Sequence, residues 1–363
     1  SVDSKEPIKS TRSMVSNQDK KSLEINLQAY LDYNKTFGKH LVKGLLGYSQ
    51  IHNQYRLLKA LRKDFPANNS LGEIDAGDVT TQETGGKSVT YALRSVFGRI
   101  NYGFDDRYLF EANLRYDGSS RFPKHNRFGL FPSFSFGWRI SEENFFKVDF
   151  VDNLKLRASW GKVGNDAFGS ARFLYLDNIS QYSVVTDSKG DHWLSPSLGY
   201  ASNGSGWGQG YKIAENYIGN KSITWETAEK QNYGIDISLY HDLSFSFDYF
   251  VEKRKNILII PQTTPMIQGL PSSALPLMND GEVKNQGFEM VLGYQKQFKN
   301  GLSVSANANF SYAKNKVLEY DEPLLGKDYA YRTRTTGFSL GQNWGYIIDH
   351  SYNPEKGRDG TGF

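Results

Sequence analysis

Hydrophobic and polar residues alternate along three consecutive segments within residues 91–164. In the first segment, apolar residues take every second position: Tyr108, Phe110, Ala112, Leu114 and Tyr116. The same pattern recurs over 130–140 and again over 154–160. Because the side chains of a β-strand point alternately to opposite faces, this period of two predicts three strands, each with one apolar and one polar face.

The positions of the aromatic residues indicate which solvent the apolar face meets. Most of them crowd the strand ends, beside predicted tight turns at 105–106 and 141–142: Tyr102, Phe104, Tyr108, Phe110 and Trp138. Ala112, Leu114 and Phe134 lie nearer the middle of the strands. Bands of Tyr, Phe and Trp at strand ends are typical of a membrane interface. The apolar face is therefore predicted to meet lipid.

Strict alternation then assigns Ala112 and Leu114 to the lipid face and their neighbours to the opposite face. That second face carries many charged or polar side chains, of which six are predicted to line a lumen: Glu111, Asn113, Arg115, Arg139, Lys155 and Arg157. Burying so many unpaired charges in a dry core would cost several kcal/mol for each of them. We therefore expect this face to contact water or a polar plug.

Further alternating segments predict hairpins over 23–52, 233–251 and 288–312, which makes about ten strands in total. The connections between strands alternate between short and long along the chain. Outer-membrane meander barrels have this asymmetry, with brief periplasmic turns and long outer loops. The sequence therefore predicts an all-β fold, namely a transmembrane antiparallel up-and-down β-barrel.

Several regions lack the alternation, among them a predicted proline-containing loop over 253–283. Residues 1–21 are polar without periodicity, and 53–87 form a long predicted loop with a short helix at its start. The longest irregular stretch covers 165–225, and the chain after Ala313 is again predicted to be mostly irregular.

Composition narrows the function classes. The chain has 363 residues, a mean hydropathy of -0.57, and a longest aliphatic run at 257–260, which is far too short for a spanning helix. The 43 basic and 39 acidic residues are interspersed without a basic block, so we expect no nucleic-acid partner. The absence of cysteine excludes disulfides and thiolate metal sites.

No motif argues for catalysis, a metal or a cofactor. The six histidines are scattered without ligand spacing, and Gly86-Lys87-Ser88 lacks the earlier glycine of a phosphate-binding loop. Paired carboxylates such as Asp105-Asp106 fall in turns, where solvation is the ordinary explanation. We therefore expect no catalytic residues, no metal site, no cofactor and no enzymatic activity.

Aromatic residues in the long loops are the candidates for binding. Trp193, Trp207, Tyr211 and Trp225 lie outside the strand pattern in 165–225, and Arg121 lies in the neighbouring loop 117–127. Exposed rings on loops serve as anchors for ligands or partner proteins, but a long loop also needs rings to pack against itself. The sequence leaves these two roles equally open.

Several stretches carry a resemblance to a known family. They include "YALRSVFGRINYGFDDRYLFEANLRYDGSSRF", "GLFPSFSFGWRISEENFF", "LKLRASWGKVGN", "TWETAEKQNYGIDISLYHDLSFSFDYFVEKRKNIL", "GEVKNQGFEMVLGYQ" and "SYAKNKVLEY". In this order they resemble the barrel portion of the SusC/RagA family of TonB-linked outer-membrane transporters. The run 115–122, "RYDGSSRF", is the most specific mark.

The resemblance implies a barrel of roughly 22 strands with a plugged lumen. It also implies a SusD-like surface lipoprotein as partner, energy from the TonB complex, and import of oligosaccharide or peptide cargo across the outer membrane of a Gram-negative bacterium. We identify no TonB-binding box, plug domain or expected terminal strand in the sequence. Residues 1–363 are therefore expected to form part of the barrel domain, with those parts outside this chain.

Two other function classes stay open. A non-transport surface protein, such as an adhesin or lectin-like module, would use the apolar face as a core and place its aromatics in mid-strand. An outer-membrane lipase would need a Ser-His pair near a barrel rim, and none is placed that way. The choice between glycan and peptide cargo is open as well.

Overall fold

The computed structural model describes residues 13–65, 72–168, 172–185, 197–202, 208–263, 274–323 and 334–343. The strands within these ranges are β1 (Met14–Phe37), β2 (His40–Lys63), β3 (Glu83–Phe104), β4 (Tyr108–Ser119), β5 (Phe128–Arg139), β6 (Val151–Asn165), β7 (Asn178–Val185), β8 (Ser197–Ser202), β9 (Gly208–Tyr217), β10 (Glu226–Leu239), β11 (Leu243–Ile259), β12 (Met278–Gln297) and β13 (Ser303–Glu319). The described part also contains short 3-10 helices at Ile74–Ala76, Val79–Thr81, Lys124–Asn126 and Ile140–Glu142. In these ranges no helix has the length and apolar character needed to cross a membrane.

Ten strands form one antiparallel sheet in the order β1-β2-β3-β4-β5-β6-β10-β11-β12-β13. Sheet neighbours are also neighbours along the chain, except that β10 follows β6. The intervening β7, β8 and β9 form a separate three-stranded sheet with β9 at its centre. The predicted all-β fold with up-and-down connectivity is therefore confirmed.

The register of the sheet keeps the two faces distinct. Ala112 lies opposite Ile100 on β3 and Phe134 on β5, whereas Asn113 lies opposite Arg99. Large apolar side chains are exposed on the first face of all ten strands: Leu27, Leu46, Ile100, Leu114, Phe134, Leu156, Tyr233, Tyr249, Leu292 and Phe310. Soluble monomers seldom expose a continuous apolar surface of this extent, so the face requires an apolar environment.

Several strands extend beyond the segments that predicted them. β1 begins at Met14, β2 continues to Lys63 and β3 begins at Glu83, so residues 14–21 form a strand despite their lack of periodicity, and the short helix expected after residue 53 is wrong. Met14 pairs with Lys63, and Glu83 pairs with Leu61. Backbone hydrogen bonds between neighbouring strands stabilise these extensions. Alternation disappears there because neither face has to be apolar outside the apolar band.

Two further expectations are corrected. The stretch 165–225 was expected to be irregular but contains β7, β8 and β9, and β13 continues past Ala313 to Glu319. The segments of the small sheet are rich in Gly, Ser and Asn, so side-chain patterning does not reveal them. Cross-strand backbone hydrogen bonds, which any sequence without proline can make, are sufficient to form them.

The short turns meet at one end of the large sheet. In the turn between β3 and β4, Asp105 and Asp106 have φ angles of 52° and 54°, which lie in the left-handed region that tight hairpin turns require. Lys39, in the turn between β1 and β2, donates to Asp105 Oδ2 at 2.8 Å. Neighbouring hairpins are therefore joined to each other at this end.

Glu143 extends the same network into the connection between β5 and β6. Its Oε1 accepts from Tyr108 Oη at 2.5 Å and from Trp138 Nε1 at 3.0 Å. These hydrogen bonds, first from Tyr108 and then from Trp138, hold the pKa of Glu143 below its usual value. The Tyr108 and Trp138 rings are stacked with centroids 6.4 Å apart, so the aromatic side chains at the strand ends also anchor the turns.

On the polar face, Arg157 joins three strands. From β6 it donates to both carboxylate oxygens of Asp236 on β10, at 2.7 and 2.9 Å. It also donates to both oxygens of Asp248 on β11, at 3.0 and 2.9 Å. Bidentate guanidinium–carboxylate pairs are among the stronger charge-assisted hydrogen bonds. We call Arg157, Asp236 and Asp248 the arginine clamp.

The clamp needs a glycine beneath it. Gly234 lies opposite Arg157 in the sheet and opposite Asp248 on the other side. A Cβ atom at position 234 would come within 2.7 Å of the Arg157 guanidinium and of Asp248 Oδ1. Only glycine therefore lets the guanidinium group lie flat against the sheet.

Arginine substitutions on the two faces of β4 test the face assignment. Leu114→Arg should destabilise the folded protein by about 2 to 4 kcal/mol if Leu114 lies near the bilayer midplane, because a charge would enter lipid. Asn113→Arg should cost much less, since Asn113 belongs to the polar face. The readout is the folded fraction in detergent, measured by the heat-modified mobility of unboiled samples. Equal losses for the two variants would contradict the assignment.

A glycine-to-alanine pair tests the clamp. Gly234→Ala should lower the stability by about 1 to 3 kcal/mol, because the added methyl group displaces Arg157 from its two carboxylates. Gly98→Ala is the matched control, since a Cβ there would be 3.5 Å from the nearest atom, an ordinary contact. The midpoint of urea unfolding in detergent measures both. Indistinguishable midpoints for the two variants would show that the space above Gly234 is not required.

Candidate functional site

The structure brings the six polar residues singled out from the sequence onto one face of the sheet. Glu111, Asn113 and Arg115 occupy alternate positions of β4, and Glu111 lies opposite Ser135 on β5, which lies opposite Ser159 on β6. Arg139 is the last residue of β5 and lies opposite Lys155 of β6. Arg157 lies two positions further along β6, so β4, β5 and β6 present one continuous polar wall.

Hydrogen bonds between strands and along β4 hold the side chains of this wall in place. Arg99 Nε donates to Asn113 Oδ1 at 2.7 Å, and Asn113 Nδ2 donates to Glu111 Oε1 at 2.7 Å. Arg115 donates to Ser95 Oγ at 2.7 Å and to Asp117 Oδ2 at 2.8 Å. Because the charged side chains bond to one another along the wall, they lie against the sheet. They therefore leave the space in front of the sheet open.

A shallow recess of about 580 Å³, lined by both polar and apolar residues, lies in this wall. Small residues of neighbouring strands form part of its lining: Gly103, Ser135, Gly137 and Ser159. Charged side chains border them: Lys43, Glu111, Lys155 and Arg157. The recess therefore offers hydrogen-bond donors and acceptors of both charge signs to a polar surface or ligand.

At the end of the sheet with the long connections, Trp225 is part of a buried aromatic cluster. The cluster consists of Phe122, Phe131, Ile223 and Trp225, of which Phe122 and Ile223 are fully buried and Trp225 is 6% exposed. The Trp225 ring centroid lies 4.9 Å from that of Phe122 and 5.2 Å from that of Phe131. Trp225 Nε1 also donates to the Arg127 carbonyl oxygen at 3.1 Å.

This packing favours the second of the two roles considered for Trp225, packing of the loop on itself. Its indole ring is enclosed by other side chains and fixes the connection before β10 to β5 and to the loop after β4. Trp225 is therefore a packing residue in this structure and offers little surface to a ligand. The burial of Phe122 and Ile223 is not predicted from the sequence, because neither residue lies in an alternating segment. Burial there depends on how the connections fold over the sheet.

Arg121 belongs to a second group beside the aromatic cluster, which we call the arginine–tyrosine cluster: Tyr91, Ser119, Arg121, Asp166 and Arg172. Arg121 Nη1 donates to the Asp166 carbonyl oxygen at 2.9 Å. Asp166 Oδ2 accepts from Ser119 Oγ at 2.6 Å and from Tyr91 Oη at 3.0 Å. The sequence singled out Arg121, but no spacing signal links it to Tyr91 or Asp166.

The other three candidates are Trp193, Trp207 and Tyr211. Trp193 and Trp207 lie outside the described residues. Tyr211 lies in β9 and pairs with Ser183 of β7, while its side chain is outside the description. In the described ranges, no group of three or more His, Asp or Glu residues is arranged to hold a metal ion.

Comparisons with known proteins identify the family. The family model described as "TonB dependent receptor-like, beta-barrel" matches residues 3–361. The chain is 34% identical to "TonB-dependent receptor P39" of Formosa agariphila, over 87% of this chain and 28% of that protein. It is 29% identical to "TonB-dependent receptor SusC" of Bacteroides thetaiotaomicron, over 83% of this chain and 27% of that protein.

Solved structures share the fold. The chain is similar to a chain of the RagAB peptide importer in its "closed-closed" state, with a TM-score of 0.70 and 21% sequence identity. The match covers 85% of this chain and 32% of that chain. The chain thus spans less than a third of the length of these relatives. The resemblance drawn from the sequence is confirmed, and because the family model covers almost every residue, this chain belongs to the TonB-dependent receptor-like β-barrel family.

Proposed function

We propose that this chain forms part of the barrel wall of a SusC/RagA-type transporter in the outer membrane of a Gram-negative bacterium. The two-faced ten-stranded sheet is the observation that carries this proposal. Its exposed apolar face suits lipid, and its hydrogen-bonded polar face suits a lumen that holds water, a plug domain and passing cargo. The chain has no part in catalysis under this proposal.

Further strands of a longer protein would complete the barrel. Among the described residues, β1 and β13 each have one neighbour in the large sheet. A lipid environment does not tolerate unpaired backbone groups along a strand edge. The edges would therefore pair with strands outside this chain. A plug domain and the segment that contacts TonB would also lie outside it, which fits the small share of the relatives that the chain covers.

The cargo we propose is an oligomer, either a glycan or a peptide, captured with a SusD-like surface lipoprotein and imported with energy from the TonB complex. The names of relatives support this class, since one relative is SusC and a similar fold occurs in the RagAB peptide importer. The proposal places the long connections at the outer surface, where the lipoprotein and the cargo would arrive. The short turns, with Lys39, Asp105 and Glu143, would face the periplasm.

Uptake by living cells tests transport. Cells that lack the full-length protein should lose uptake of the oligomer but keep uptake of its monomer. A proton ionophore should abolish oligomer uptake in wild-type cells, because TonB-coupled import needs the energised inner membrane. The readout is cell-associated label after incubation with fluorescent oligomers of both classes. Surface binding of the oligomer without ionophore-sensitive uptake would contradict transport and support an adhesin or lectin-like protein instead.

Trp193 and Trp207, in the stretch 165–225, are proposed to contact the lipoprotein or the cargo. Replacing Trp193 and Trp207 together by alanine should reduce uptake and co-purification of the lipoprotein by about tenfold, since large rigid rings at an interface are often worth more than 1 kcal/mol each. Trp160→Ala is the control, because Trp160 lies on the apolar face opposite Phe134. All variants should assemble in the outer membrane. Unchanged uptake and co-purification would show that these rings only pack the loop on itself.

A further inference from the structure

Two arginines make cation–π contacts with the ring of Tyr91 at the long-connection end of the polar face. The guanidinium carbon of Arg121 lies 5.2 Å from the centroid of the Tyr91 ring. The guanidinium carbon of Arg172 lies at the same distance, 5.2 Å, from that centroid. The two positive charges therefore lie no further apart than twice that distance, within the range at which like charges repel each other.

A single carboxylate faces these two charges in the arginine–tyrosine cluster as described. Asp166 is the acidic group that interacts with both Tyr91 and Arg172. Its Oδ2 already accepts from Ser119 and Tyr91, and Arg121 bonds to its carbonyl oxygen rather than to its carboxylate. The cluster thus carries more positive than negative charge, and the negative charge is partly taken up by neutral hydroxyl donors.

The arginines also have donors without acceptors. Arg121 Nε and Arg172 Nη1 are buried atoms that find no hydrogen-bond partner in the part of the chain that the structure describes. Burial, followed by the proximity of Arg121, lowers the pKa of Arg172. Buried guanidinium N–H groups normally find acceptors, since an unpaired donor of a charged group loses its hydration without gaining a replacement hydrogen bond.

From these observations we propose that the arginine–tyrosine cluster is a binding site for an oxyanion, a carboxylate or sulfate group carried by the imported oligomer. The guanidinium group offers planar pairs of N–H donors that match the oxygens of such anions. An anion would balance the excess charge and provide acceptors for the unpaired donors. The assignment of the anion to cargo rests on the proposed transport function, whereas the anion site itself does not.

The location of the cluster explains why cargo would meet it. Tyr91 and Ser119 belong to the polar face, because Tyr91 continues the alternation of Ser95 and Arg99 on β3, and Ser119 continues that of Arg115 on β4. Ser119 is the last residue of β4, at its long-connection end, and Tyr91 lies beside that end in the interior of β3 (Glu83–Phe104). An oligomer entering from that side would pass this site before it reached the recess beside Arg157. The positive charge of the cluster would thus favour acidic oligomers on this route.

Sulfate binding to the purified full-length protein tests the site. Calorimetric titration with potassium sulfate, at constant ionic strength set with chloride, should show saturable binding to the wild type. Arg172→Gln should weaken it by roughly tenfold or more, the factor expected for losing one charge-assisted contact. Arg172→Lys, which keeps the charge, should retain part of the affinity. Heat-modified mobility checks that each variant is folded.

Arg94→Gln is the matched control. Arg94 is exposed, lies three residues from Tyr91 on the same strand, and belongs to the opposite face by alternation. Its substitution removes the same charge from the same region and should leave sulfate binding unchanged. Equal weakening by Arg94→Gln and Arg172→Gln would overturn the site, because it would show a general effect of net charge. Absence of saturable sulfate binding to the wild type would overturn it as well.

Competition with oligomers separates an anion carried by cargo from a free inorganic anion. A uronic-acid oligomer, or a peptide with a free terminal carboxylate, should displace sulfate from the wild type. The methyl ester of that oligomer, or the amide of that peptide, should displace it at least tenfold less well. Equal displacement by the charged and neutral forms would overturn the assignment to cargo. Sulfate binding is measured without transport, so a failure of this site and a failure of uptake are distinguishable results.

Discussion

Unbroken backbone pairing between neighbouring strands is the constraint on which the rest of the structure depends. Each backbone N–H and C=O group in a lipid environment needs a partner, and strands supply partners only to adjacent strands. The ten-stranded sheet meets this need from β2 to β12 with antiparallel ladders on both sides of each strand. Once these ladders fix the register, the polarity of each face follows, because side chains alternate between faces.

The polar face shows how a wall of charges can be held in order. Its guanidinium and carboxylate groups bond across strands, as Arg157 does with Asp236 and Asp248, and Arg99 and Asn113 do near Glu111. Each group thereby keeps hydrogen-bond partners without folding over the sheet. The result is a fixed polar surface rather than a layer of mobile side chains, which suits the lumen of the proposed transporter.

The two ends of the sheet are built differently, because one carries the short turns and the other carries the long connections. At the short-turn end, hydrogen bonds around Glu143 and Asp105 join neighbouring hairpins. At the other end, long connections pack onto the wall through the buried cluster of Phe122, Phe131, Ile223 and Trp225. Beside that cluster, two arginines and one carboxylate leave positive charge on the polar face. Under the proposed function, recognition of cargo belongs to the long-connection end.

The sequence by itself determined the fold class, the two faces and the order of the strands in the large sheet. All of these follow from alternation, which relates residues two positions apart and is therefore visible locally, as in the run from Tyr108 to Tyr116. The aromatic residues at the strand ends indicated the membrane setting, and the resemblance to SusC/RagA transporters added the implied partners.

Tertiary structure alone decided which polar groups meet. Arg157 and Asp236 are 79 residues apart in the chain, and their contact depends on the register between β6 and β10, which no local pattern encodes. Trp225 is buried because a connection folds back over β5, and Arg172 meets Arg121 because both approach one ring of β3. The strand extensions to Met14, Lys63 and Glu319 likewise arise from pairing with a neighbour. Local periodicity determines to which face of the sheet each side chain belongs, whereas contacts between distant segments depend on the three-dimensional path of the chain.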